Sequence, residues 1–170
     1  DRYLRFVFIT GVTKFSQLGI FSNLNQLIDI SMAPDYATVC GMTKVEIERD
    51  FQPELAALAA MNKLTYEQTV NELTKRYDGY HFSEFRTEGI FNPFSVLNAL
   101  LQKRFSSYWF ATGTPTMLVD MLKKTDYDLR QLDGIEVPAA ALTDYRADFQ
   151  NPVQIIYQSG YLTIKDYDSE

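Results

Sequence analysis

Between residues 43 and 122 the sequence spells out the start of a helix four times, and this constrains the fold more than any other feature. Thr43 is followed three residues later by Glu46, and Thr65 by Gln68. In such pairs the first side chain caps the backbone N–H three residues on, and the second reaches back to the cap's own N–H. Asn92-Pro93 and Thr114-Pro115 use a second device: a capping side chain, then a proline whose fixed φ suits the first helical position. Apolar residues with helical spacing follow each start. Val45, Ile47 and Phe51 follow Thr43, and the pattern restarts after Pro53 with Leu55, Leu58 and Ala59. Val70 and Leu73 follow Thr65, in a helix expected to run to about Arg76. Phe94, Val96, Leu97, Leu100 and Leu101 follow Asn92, and Met117, Leu118, Met121 and Leu122 follow Thr114. Leu24, Leu27 and Ile28 predict a further short helix over 23–28. A predominantly helical body is expected.

One stretch departs from this pattern. Phe6-Val7-Phe8-Ile9 is apolar and β-prone without alternation, as in a central strand covered on both faces. Shorter β-like pieces are Tyr36 to Gly41 and Gly89-Ile90-Phe91, and Ile155 to Lys165 reads as a helix end, a glycine turn and a strand. Pro34-Asp35 and Asp133-Gly134 read as turns. A central strand needs neighbours, and few are visible. Either the sheet lies mainly upstream, with this chain a piece of a longer protein, or the strand pairs with the short segments here.

Composition sets the remaining bounds. Hydrophobic residues make up 46% and aromatics 14%, enough for a core. A net charge of −6 argues against whole-surface attraction to nucleic acid, which needs clustered Lys and Arg. Lys75-Arg76 and Lys123-Lys124 are no more than pairs. No apolar run approaches the roughly 20 residues of a membrane span. Cys40 is the single cysteine, which fits a reducing compartment and a cytoplasmic location. With His81 the only histidine, a structural zinc site is not expected.

Four stretches are candidates for chemistry. Thr10-Gly11 ends the apolar run. It reads either as a plain turn or as a polar group brought to the carboxyl end of a strand, where ligands of α/β domains sit. In Arg76 to Glu84, RYDGYHFSE, Gly79 permits positive φ amid the rings of Tyr77, Tyr80, His81 and Phe82. That pattern fits a helix C-cap over packed rings, or rings that stack on a base; Asp78 with His81 is a weak acid/base pair. FNPFSVL reads as a capped helix with a core face. Gly113-Thr114-Pro115 presents backbone N–H groups at a helix start, which receive an anion in some proteins and nothing in most. No G-x-x-x-x-G-K-[ST] loop, no strand ending in paired acids and no nucleophilic triad is present.

In order, FVFITGVTKFS, NLNQLIDIS, YATVCGMTKVEI, RYDGYHF, IFNPFSVLNAL, YWFATGTPTMLV and YQSGYLTI cover nearly the whole chain. The ordered set resembles the AAA-ATPase-like proteins common in Bacteroidetes. The resemblance implies a longer protein with a P-loop ATPase core upstream and, often, a PD-(D/E)XK nuclease-like domain downstream. This chain would be an α/β fragment, predominantly helical: a late strand of the ATPase sheet, then a helical lid and a winged-helix-like segment. The implied divisions are 1–42 for the end of the ATPase core, 43–125 for the lid, and 126–170 for the irregular, winged-helix-like part. Thr10 and Gly11 would take a sensor-like position near the γ-phosphate. Tyr77, Asp78, Gly79 and Tyr80 would form the lid turn near adenine and ribose. ATP and Mg²⁺ are the expected cofactors of the longer protein. Hydrolysis by this stretch alone is not expected, because the phosphate loop and metal-binding acids have no counterpart in it. The expected partners are the rest of the parent chain, further copies of itself, and nucleic acid through the parent, with no membrane. The competing reading is a non-catalytic protein- or DNA-interaction module, or a scaffold from a degenerate ATPase.

Overall fold

The structure is a computed structural model that describes residues 5–10, 28–83, 85, 88–109, 116–125, 127–143 and 152–168. The described residues are predominantly helical and contain no β-strand, only the isolated antiparallel bridges Met42–Phe91 and Tyr80–Ile90. The chain divides into two compact units: Ile28–Val119 with Thr163–Glu170, and Asp1–Leu27 with Asp120–Leu162.

In the first unit, helix α1 (Lys44–Asp50) starts at the predicted capping box. The Thr43 hydroxyl accepts the Glu46 N–H at 3.2 Å, and Glu46 Oε2 accepts the Thr43 N–H at 2.8 Å. Helix α2 (Gln52–Asn62) follows after Phe51 and carries a proline in its first turn. Helix α3 (Tyr66–Tyr77) has the second box, Thr65 with Gln68. Helix α4 (Pro93–Gln102) is capped by Asn92, whose Oδ1 accepts the Ser95 N–H at 2.9 Å. Each such cap contributes about 1 kcal/mol by satisfying N–H groups that a helix start leaves without partners. Helices α2 and α4 end on lysines in the left-handed region, Lys63 at φ 56° and Lys103 at φ 53°. The Lys63 and Lys103 N–H groups close those ends on carbonyls of the last turn, a geometry glycine adopts more cheaply.

Part of the apolar faces predicted for α1 to α4 meets in one core, while Val45, Phe94, Leu97 and Leu101 stay exposed. Ile47, Leu55, Leu58, Leu73, Tyr77, Phe91, Val96, Ala99, Leu100 and Tyr108 are buried together, with Met42, Phe51 and Phe105 packed against them. Ile90 and Phe91, read as a short β-like piece, form the two bridges and are almost fully buried. Gly41 lies so close to Ile90 that a Cβ there would come within 2.3 Å of Ile90 Cδ1. Helix α5 (Thr116–Thr125) leads out of this unit. Its predicted Thr114-Pro115 start lies outside the described residues.

The second unit holds a 3₁₀ turn at Leu129–Leu132, helix α6 (Ala139–Thr143) and helix α7 (Val153–Gln158). The side-chain amide of Gln158 donates to the Leu142 carbonyl at 3.1 Å, which ties α7 to α6. Gly134 has φ 73°, consistent with the predicted Asp133-Gly134 turn.

Three β expectations are not met. Phe6 to Ile9 form no strand, and their exposures run from 50% to 81%. A central strand requires a hydrogen-bonded neighbour at each edge, and none pairs with it among the described residues. Tyr36 to Gly41 instead make a 3₁₀ turn, Pro34–Tyr36, and a run of turns that starts on the proline. Residues 162–168 after the Gly160 turn run without a backbone ladder. The expected helix over 23–28 falls, apart from Ile28, outside the described residues.

Candidate functional site

The predicted turn Tyr77-Asp78-Gly79-Tyr80 is the most fully built polar feature of the first unit. Helix α3 ends at Tyr77, whose side chain points into the core at 5% exposure. The Tyr77 hydroxyl donates to the Ser106 carbonyl at 2.8 Å and accepts the Ser106 N–H at 3.0 Å. Its ring lies 6.4 Å from that of Tyr108, tilted by 46°. Burial pushes the Tyr77 phenol above its ordinary pKa, because desolvation disfavours the phenolate. Tyr77 therefore anchors the turn, and its hydroxyl is already committed to Ser106.

Asp78 closes the helix, its N–H donating to the Thr74 carbonyl at 3.1 Å, while its Oδ1 accepts the Gly79 N–H at 2.7 Å. Gly79 takes φ 111°, which glycine reaches without penalty, and nothing lies within 4 Å of where a Cβ would stand. Its role is conformational. Gly89 makes room for Asp78 instead, since a Cβ on it would come 2.9 Å from Asp78 Oδ1. Tyr80 then pairs with Ile90: its N–H donates at 3.3 Å, and the Ile90 N–H donates back at 3.0 Å. The Tyr80 and Phe82 rings stack at 6.4 Å with 17° between their planes. His81 turns its backbone to the other side, where its N–H donates to the Thr163 hydroxyl at 2.7 Å. Sequence reasoning named the turn but missed Ser106, Ile90 and Thr163 as its partners. The β-prone YLTI at 161–164 was the available signal for the last of these.

Thr10 is exposed, belongs to the second unit and lies in no strand. Gly11 and Gly113-Thr114-Pro115 lie outside the described residues. Cys40 is exposed in a turn. No group of three His, Cys, Asp or Glu among the described residues is placed to hold a metal ion. A shallow depression of about 480 Å³ is lined by Asn62, Leu64, Gln68, Asn71, Glu72, Lys75 and Phe105. Much of its polar lining is already engaged. The Asn62 amide donates to the Leu58 and Lys103 carbonyls, and Gln68 completes the α3 cap. Glu72 pairs with Arg76, whose guanidinium sits 5.6 Å over the Phe105 ring. The Tyr80 and Phe82 rings that stack beside the turn are both half-buried.

No helix among the described residues is long and apolar enough to cross a membrane. The chain is similar to a protein of Azotobacter chroococcum mcd 1 described as an "uncharacterized protein in vnfD 5'region". The two are 34% identical over 164 residues, which is 96% of this chain and 29% of the relative. The chain therefore spans under a third of that relative's length. No family model and no solved structure matches it.

Proposed function

We propose that this chain is the sensor-strand and lid portion of an AAA-like ATPase, coupling nucleotide state in a longer protein to an attached effector. The observation that carries the proposal is the run Phe6 to Ile9. Four successive apolar side chains are at least half exposed, and by the period of a strand they face both ways. Burying each side chain fully would stabilise by about 1.5–3 kcal/mol, so a sheet with layers on both faces is the environment that suits the run. The rest of such a sheet comes from a longer chain, and the 29% span of the Azotobacter relative leaves room for one. Thr10, with Gly11 next to it in sequence, then takes the sensor-like position at the strand's carboxyl end, beside the phosphates. Asp78 and Gly79 shape the lid turn, Tyr77 anchors it, and Tyr80 with Phe82 offers ring faces to the base. The phosphate cradle and the Mg²⁺ ligands come from the upstream core. Segment 126–170 is winged-helix-like and leads towards the effector, a nuclease-like domain in this reading. A lid of this kind acts by making contacts only in the nucleotide-bound state. Thr10→Ala in the longer protein is expected to lower ATP turnover more than ATP binding. Unchanged turnover would remove Thr10 from the mechanism.

A second reading is a non-catalytic interaction module. It is favoured by the exposed stripe Phe94, Leu97 and Leu101 along α4. The net charge of −6 favours a protein over DNA as the partner in that reading. Leu101→Glu would then abolish partner capture and leave ATP turnover of the longer protein unchanged.

A further inference from the structure

The turn at 78–83 is tied to a segment far away in sequence, and the tie has a directional logic. In extended backbone, successive residues present their polar groups to opposite edges. Tyr80 uses both its N–H and its carbonyl on Ile90. His81 therefore faces away from Ile90, and both of its backbone groups meet one atom of Thr163. The Thr163 hydroxyl accepts the His81 N–H at 2.7 Å and lies 3.4 Å from the His81 carbonyl as donor. A single side-chain oxygen thus takes the place that a third strand would occupy. Four residues on, the Tyr167 ring meets that of Phe85 at 6.2 Å and 51°. The segment Thr163–Glu170 belongs to the same compact unit as the turn, although residues 120–162 between them form part of the other.

We propose that Thr163 and Tyr167 form a latch that holds the Tyr80–Ile90 bridge closed, so that displacing the chain after Leu162 loosens the turn. The latch is a coupling between two stretches 82 residues apart, and it exists whether or not the turn meets a nucleotide. Where the lid reading holds, it is the path by which an effector attached beyond the latch senses the lid. The turn is suited to such control. Among the described residues its ties include the two Tyr80–Ile90 backbone bonds and the Thr163 hydroxyl, with the Phe85–Tyr167 ring contact beside it; Ser83 is buried and the rest of the turn is half-buried or exposed. Segments of this kind open at low free-energy cost.

Hydrogen exchange on the isolated chain without nucleotide tests the latch separately from the ATPase reading. Thr163→Val removes the hydroxyl and keeps the shape, and Tyr167→Ala removes the ring. Thr163→Val must speed exchange at His81, since that bond is deleted. The latch further predicts exchange about five- to tenfold faster at Ile90 and Tyr80, neither of which bonds to Thr163, and the same rise at His81 in Tyr167→Ala. Unchanged exchange at Val70 and Leu73 in α3 shows that the fold is intact. A change confined to His81 in the first variant, with none in the second, overturns the latch. Failed ATP binding by the longer protein would instead overturn the lid reading and leave the latch standing.

Discussion

Tyr77→Phe removes one atom and tests the claim that Tyr77 is an anchor. The Tyr77 hydroxyl makes two bonds, to the Ser106 carbonyl at 2.8 Å and from the Ser106 N–H at 3.0 Å. Phenylalanine keeps the ring and its contact with Tyr108, so the cost is confined to those bonds. At about 0.5–1.5 kcal/mol net for each, the loss is about 1–3 kcal/mol. With an m-value of about 1–3 kcal/mol/M in urea, the midpoint falls by about 1 M and the slope stays constant. Both bonds go to the Ser106 backbone, so Ser106→Ala leaves them in place and is expected within about 0.5 kcal/mol of wild type. The assay is urea unfolding of all three proteins by circular dichroism. A midpoint for Tyr77→Phe within about 0.2 M of wild type would refute the reasoning, and so would equal effects of the two substitutions.

Further predictions concern packing, helix ends and pH. Gly41→Ala places a Cβ 2.3 Å from Ile90 Cδ1 and 2.8 Å from its Cβ. It is expected to destabilise by about 1–3 kcal/mol, and Ile90→Ala in the same chain is expected to restore part of the loss, read as a coupling in a double-mutant cycle. Lys63→Gly relieves a left-handed lysine at the end of α2 and is expected to stabilise by about 0.5–1 kcal/mol in thermal melts. The Glu46 carboxyl is held below its ordinary pKa of 4.5, first by the Thr43 backbone N–H and then by the Thr43 hydroxyl. A lowered folded pKa means that this contribution is present above pH 4.5 and is lost as pH falls through the lower folded value. Glu46→Gln should therefore be less stable than wild type near pH 7, by at most about 0.5 kcal/mol after solvent screening. The gap should close on acidification; a gap that is constant with pH would contradict the assignment.

The helical body was legible because its signals are local. A cap and its partner lie three residues apart, as at Thr43 and Glu46, and the apolar spacing behind them fixes the buried face. Ile47, Leu55, Leu58, Leu73, Val96 and Leu100 reach the core by that rule, whereas Val45, Phe94, Leu97 and Leu101, read on the same faces, stay exposed. Three of the β expectations were not met, for the opposite reason. Strand propensity at Phe6 to Ile9 states what the segment favours, not whether a neighbour is at hand. At Tyr36 to Gly41 the preceding proline governs instead, starting the 3₁₀ turn Pro34–Tyr36. The turn was legible by half. RYDGYHF marked a glycine-dependent turn ringed by aromatics, and the structure has that turn. That Tyr77 points inward while Tyr80 stacks on Phe82 depends on Ser106 and Ile90, which no local pattern links to it.

The most direct measurement is a fluorescent-ATP titration with Mg²⁺, on this chain and on a chain extended upstream of Asp1. Binding by the extended chain, with little or none by the chain alone, is the predicted result: the phosphate site lies upstream, and this portion supplies sensor and lid. Absence of binding by the extended chain would contradict the proposal and favour the interaction-module reading.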